Sequence, residues 1–262
     1  MNKKREKVLL TFLILLFFII NYSWIDEYLA RIFENADKED FIVKRIIDGD
    51  TIVVGEDTHV RLFGINTPEK KEEYYAEARD FVNNSLYNKT VFIQSFGQDK
   101  YYRELGVVFF EGENFNSKII EKGFANAYIL EDKKYEEVFR EAWNKCVASE
   151  KNLCEKSENK CADCIELKGL NVEEQEVIFY NKCNFDCNLT NWKIKDEGRK
   201  NFIFGKFILK GNNEIKIIAE NKTNSEGVLY WKNEDYVWTE AGDTLFLRDE
   251  EGRLVLWKEI DR

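Results

Sequence analysis

Histidine, proline and positive charge are all scarce in this chain. Its 262 residues contain one His and one Pro, and 39 Lys and Arg face 49 Asp and Glu, for a net charge of −10. Lone His59 must carry any Ser-His-Asp, Cys-His or paired-His zinc chemistry. It sits in Thr58-His59-Val60-Arg61-Leu62, an alternating run that reads as an ordinary strand. The acidic excess is spread evenly, with 15 basic and 20 acidic residues in 41–150 and the same numbers in 161–262. Neither half is a broad cationic clamp for nucleic acid, although a local cationic pocket can still hold phosphates. General disorder is excluded too, because 44% of the residues are hydrophobic and the length suffices for two cores.

Cysteine is missing from the first 145 residues and then occurs six times, at Cys146, Cys154, Cys161, Cys164, Cys183 and Cys187. An even number clustered at one junction suits disulfides in an oxidising compartment. The spacing Cys161-x2-Cys164 and Cys183-x3-Cys187 also admits a four-thiolate zinc site. Export has its own signal: Lys3, Lys4, Arg5 and Lys7 precede an apolar run from Val8 to Ile20, which reads through Tyr22 and Trp24 to Ile25. That pattern predicts a membrane signal anchor over residues 1–40, stalk included, or a cleaved signal peptide releasing a secreted protein.

Residues 41–153 carry β-rich runs at 41–47, 51–54, 59–65, 91–95 and 105–110, with helical patterns at 70–86, 115–122 and 134–151. A meander, an inserted helix, further strands and a closing helix predict a five-stranded OB-fold barrel with helices. No internal repeat is visible. Asp48-Gly49-Asp50 alone is a favoured hairpin turn, and Thr67-Pro68-Glu69 alone is an ordinary helix start.

Together, Asp48-Gly49-Asp50-Thr51 followed by Arg61-Leu62-x-Gly64-Ile65-Asn66-Thr67-Pro68-Glu69 closely resembles the staphylococcal nuclease (thermonuclease) family. Asp99-Lys100-Tyr101-Tyr102-Arg103 resembles its second arginine segment, with Tyr102 where a Gly is usual. The resemblance implies a Ca²⁺-dependent phosphodiester hydrolase acting on DNA and RNA with little sequence preference, leaving 3′-phosphate products. Glu69 would position or deprotonate the attacking water, and Arg61 and Arg103 would grip the phosphate with planar forks. Asp50, Asn66 and the Thr67 carbonyl would hold the metal, with Asp48 behind them. The family usually has Asp where this chain has Asn66, so metal affinity should fall. A non-catalytic surface protein with a degenerate barrel is the alternative.

A Cys-bearing linker, 154–162, leads to short alternating apolar runs over 163–262, which predict a β-sandwich. Leu189-Thr190-Asn191-Trp192, Leu229-Tyr230-Trp231 and Gly242-Asp243-Thr244-Leu245-Phe246 resemble a lamin-tail domain, an immunoglobulin-like fold with an attachment or binding role whose partner is unknown. Trp192, Trp231 and Trp238 are expected in its core. The predicted fold class is therefore mainly β with α.

Overall fold

A computed structural model of the chain describes residues 38–128 and 132–260. The expected anchor, Val8 to Ile25, lies outside the described residues. Among the described residues no helix is long and apolar enough to cross a membrane.

The first unit comprises β1 (Lys38–Ile46), β2 (Thr51–Val54), β3 (Thr58–Leu62), β4 (Ile65–Asn66), α1 (Tyr75–Leu86), β5 (Thr90–Gln98), β6 (Glu104–Phe110), β7 (Glu113–Asn114), α2 (Phe115–Glu121), β8 (Asn126–Ala127) and α3 (Lys133–Ser149). β1 pairs antiparallel with β2 and β5, β2 with β3, and β5 with β6. Parallel pairing of β3 with β6 closes the circle, giving the five-stranded barrel. Closure needs Gly106, since a Cβ there would lie 2.7 Å from Ile93 and 3.1 Å from Val60. Val43, Ile52, Val60, Leu62, Ile93 and Val107 fill the interior, and α2 and α3 cap it with Ile119, Phe139 and Trp143.

One expected helix is shortened. The run from Lys70 does not become helical until Tyr75, because Lys71 and Tyr74 adopt left-handed backbone, with φ of 85° and 65°. The displaced acidic side chains are used elsewhere: Glu72 pairs with Lys195 and Glu73 with Lys193, both at 2.7 Å. Tyr102 is also left-handed, with φ 63°. Glycine adopts that conformation freely, and here an exposed tyrosine accepts it at a cost of roughly 1 kcal/mol.

The second unit continues with β9 (Ile165–Asn171), β10 (Glu176–Asn181), β11 (Cys187–Asn188), β12 (Lys193–Lys195), β13 (Asn201–Ile203), β14 (Ile208–Leu209), β15 (Glu214–Ile218), β16 (Val228–Tyr230), β17 (Asp243–Arg248) and β18 (Leu254–Ile260). Two four-stranded sheets, β16-β15-β10-β9 and β13-β12-β17-β18, form an immunoglobulin-like sandwich. Trp192, Trp231 and Trp238 are all buried in its core. Val237 and Trp238 lie outside any strand, and both N–H groups instead donate to the buried Gln175 carboxamide at 2.5 and 2.9 Å. β9 alternates only over Ile165 to Lys168 before Gly169 interrupts it, and β16 is three apolar residues long, so neither presents a sustained alternation in the sequence.

All six cysteines are paired, Cys146 with Cys154, Cys161 with Cys187 and Cys164 with Cys183. The zinc alternative is therefore set aside, its four thiols being consumed by two disulfides. Disulfides of this number suggest an extracytoplasmic or secreted protein. The stretch read as a linker is bonded to both sides. Tyr74 Oη donates to Glu155 Oε2 at 3.2 Å, and Ser157 N donates to Leu254 O at 2.9 Å.

The two units also share apolar packing. Phe246 and Leu254 of the sandwich belong to the same buried cluster as the barrel, and Trp143 meets Phe246 edge-on at 5.3 Å and Trp257 at 6.0 Å. Fully buried Arg248 spans the joint, donating to Leu153 O and Gly252 O, and desolvation lowers its pKa to about 10, which leaves it charged at neutral pH. Removing a large aromatic from such a position costs about 3–5 kcal/mol. Phe246→Ala is therefore expected to lower the stability of both units together. Denaturant unfolding followed separately in barrel and sandwich checks this; an unshifted barrel transition would show that the cores are independent.

Candidate active site

The β1–β2 turn carries the first site residues. Asp50 N donates to Asp48 Oδ1 at 3.1 Å, and Ile47 N bonds Thr51 O at 2.9 Å. Gly49 is required here by space: a Cβ would lie within 2.8–2.9 Å of the Thr67 side chain, so the loop after β4 could not approach. That approach lets buried Asp50 Oδ2 accept from both Thr67 N and Thr67 Oγ1 at 3.0 Å. Burial and the adjacent Asp50 charge push Asp48 up to about 6.

Arg61 faces this carboxylate because β2 and β3 pair in a register that sets it opposite Thr51. Its Nη2 lies 3.1 Å from Asp50 Oδ2 and donates to Asn66 Oδ1 at 3.0 Å, while Nη1 donates to the carbonyls of Leu62 and Ile65 at 2.9 Å each. Arg103 enters across the β3–β6 seam. Asp99 holds it through Nε at 2.8 Å and Nη2 at 2.7 Å, and its Nη1 reaches Thr51 Oγ1 at 3.4 Å. Arg61, Arg103 and Tyr101 line one open cleft of about 590 Å³.

The sandwich supplies another wall of that cleft. Gly198 and Arg199, in the connection between β12 and β13, line it too. The Asn66 carboxamide donates to Glu197 O at 2.9 Å and Gly198 O at 2.6 Å. Arg199 Nε lies 2.7 Å from Glu69 Oε1. The expected residues thus form one chain of contacts, Asp50 to Arg61 to Asn66, then through the 197–199 turn to Glu69. Nothing in the sequence spacing marks Glu197, Gly198 or Arg199 as site residues.

These contacts account for the Asn at 66. Aspartate could accept from Arg61, but it has no N–H for two carbonyls and would set a carboxylate oxygen against them. Losing buried hydrogen bonds and leaving acceptors facing a charge costs about 1–3 kcal/mol. Asn66→Asp is expected to lower the thermal stability of the whole chain at neutral pH. An unchanged melting temperature would show that the turn is not held by this carboxamide.

The oxygens of Asp50, Asn66 and the Thr67 carbonyl, with Asp48 behind them, are of the kind a hard cation takes. Among the described residues no group of three or more His, Cys, Asp or Glu is arranged to hold a metal. Asn66 Oδ1 and Asp50 Oδ2 are both shared with Arg61, so a bound cation would compete with its guanidinium at each.

The family model described as staphylococcal nuclease homologue matches residues 59–156, and the lamin tail domain model matches 159–261. A thermonuclease of Staphylococcus hyicus is 34% identical over 131 residues, 45% of this chain and 78% of the relative. One from Staphylococcus intermedius is 33% identical over 130 residues, 45% of this chain and 77% of the relative. A protein of Haemophilus influenzae named as an uncharacterized endonuclease is 29% identical over 127 residues, 47% of this chain and 65% of the relative. With Arg61 and Arg103 lining one barrel cleft, Glu69 paired to Arg199 at its rim, and relatives matched across most of their length, this chain belongs to the staphylococcal nuclease family, with a lamin tail domain following the nuclease domain.

Proposed function

We propose that this protein hydrolyses phosphodiester bonds of DNA and RNA with little sequence preference, working outside the cytoplasm and leaving 3′-phosphate products. The observation that carries the reading is the convergence of Arg61 and Arg103 on one cleft, with the Glu69 carboxylate tied to its rim through Arg199. Single-stranded polynucleotide fits an open cleft with two guanidinium forks and an aromatic wall, since stacking and phosphate contacts are both sequence-tolerant.

The residues divide the work. Arg61 is positioned through Nη1 and Nη2 by three carbonyl-type acceptors and Asp50, which fixes its positive charge at the cleft, where charge builds on a phosphate oxygen. Arg103 is held in the same way by Asp99. Glu69 takes or orients the proton of the attacking water; lone His59 lies in a neighbouring pocket, facing Asp57 at 4.0 Å. Asp50 and the Thr67 carbonyl would hold Ca²⁺, which as a Lewis acid supplies charge neutralisation at the phosphate when bound.

Glu69→Gln and Arg103→Ala are each expected to lower turnover of single-stranded DNA by at least about a hundredfold with the fold retained. Chelator should abolish cleavage by the parent protein and added Ca²⁺ restore it. Near-parental rates in either variant remove that residue from the mechanism, and cleavage that persists in chelator removes the metal.

The N-terminal segment Val8 to Ile25, preceded by Lys3, Lys4, Arg5 and Lys7, is proposed to tether the protein to the membrane. N-terminal sequencing of the exported protein is expected to find the start of the chain intact and the protein in the membrane fraction. A mature terminus near residue 30 in the soluble fraction would mean a cleaved signal peptide.

A further inference from the structure

We infer that Arg199, carried by the lamin tail domain, is a substrate-binding residue of the nuclease cleft, which seats a backbone phosphate of the polynucleotide beside the one held by Arg61 and Arg103. The inference deepens the proposed function and rests on it for the nature of the substrate. Three observations point to it.

The first is place. Arg199 and Gly198 line the same cleft as Arg61, Arg103 and Tyr101, although some 130 residues of sequence separate them from β4. The second is fixation of the backbone. Asn66 grips the carbonyls of Glu197 and Gly198, Lys200 N donates to Asp196 Oδ1 at 2.9 Å, and Glu197 N donates to Asp243 Oδ1 at 3.3 Å. The root of the Arg199 side chain is therefore held on the nuclease domain while its tip is left to solvent.

The third is availability. The Arg61 side chain is 13% exposed and that of Arg103 is 23% exposed, and both are committed to several acceptors. The Arg199 side chain is 59% exposed and meets Glu69, itself 44% exposed, in a single ion pair. Its neighbours on β12 differ: Lys195 is only 12% exposed and makes two contacts with Glu72, so it serves to join the domains. An exposed ion pair is worth about 0–1 kcal/mol, so a phosphate can take the guanidinium from Glu69 at little cost. A phosphate oxygen pair also matches the planar guanidinium fork well. In a chain of net charge −10, one additional cation at the cleft has a large share in drawing a polyanion to it.

The test is binding and cleavage of a single-stranded DNA oligonucleotide by the full chain and by Arg199→Ala, with Lys168→Ala as a control for charge, since Lys168 lies on β9 and pairs with Glu214. Binding is measured in chelator by fluorescence anisotropy across a salt series. Arg199→Ala should weaken binding about fivefold to tenfold and reduce the slope of log K against log salt by about 0.7, the loss of one phosphate contact to a single strand. With Ca²⁺ present, KM should rise by a similar factor while kcat stays within about threefold. Arg199→Lys should recover most of the salt slope, keeping the charge while losing the fork, and Lys168→Ala should change neither quantity.

Unchanged affinity and slope in Arg199→Ala would overturn the inference. So would a rise in kcat with affinity unchanged, which would make the residue a latch on Glu69 only. A parent protein that binds the oligonucleotide but does not cleave it refutes the proposed hydrolysis and leaves the binding comparison to decide Arg199. A parent that does not bind it refutes both.

Discussion

The parallel seam between β3 and β6 is the constraint on which the site depends. It is the pairing that turns an open sheet into a barrel, and it sets Val60, Arg61 and Leu62 beside Glu104, Leu105 and Gly106. Arg61 lies one residue from the end of one of these strands and Arg103 precedes the other, so closure brings together two cations separated by 42 positions. Asn116 secures the seam from inside: its carboxamide donates to Phe63 O and Gly106 O and accepts from Val108 N. A buried amide with its hydrogen bonds satisfied specifies the arrangement at little cost, whereas the same amide unpartnered would penalise it.

A second constraint lies at the junction of the two domains. The acidic segment after β4 could have extended α1 by a turn. It instead presents Glu69, Glu72 and Glu73 to Arg199, Lys195 and Lys193. Such pairs contribute little individually. Their register is fixed by the apolar contact of Trp143 with Phe246 and Trp257, and by buried Arg248 bridging backbone carbonyls. Hydrophobic burial holds the domains together, and the ion pairs and the Asn66 carboxamide determine which surfaces meet. The consequence for function is that the wall of the nuclease cleft is partly made of lamin tail residues.

The sequence by itself determined the fold of each half. Alternation and turn residues are local properties, and side-chain period and turn chemistry act over a few residues, so the barrel strands and the buried tryptophans were legible, while the Asp48-to-Glu69 spacing carried the family resemblance that singles out Arg61, Glu69 and Arg103. Where local rules failed, a distant partner had overruled them. The helix expected from Lys70 begins at Tyr75 because its acidic residues answer lysines more than 100 positions away. Asn66 reads in the sequence as a weakened metal ligand, and only the folded chain shows its amide holding Glu197 and Gly198. The cysteine pairing stayed open among 15 connectivities until the tertiary structure set Cys161 beside Cys187 and Cys164 beside Cys183. Contacts between residues this far apart leave no periodicity in the chain, because what joins them is the docking of two independently patterned cores.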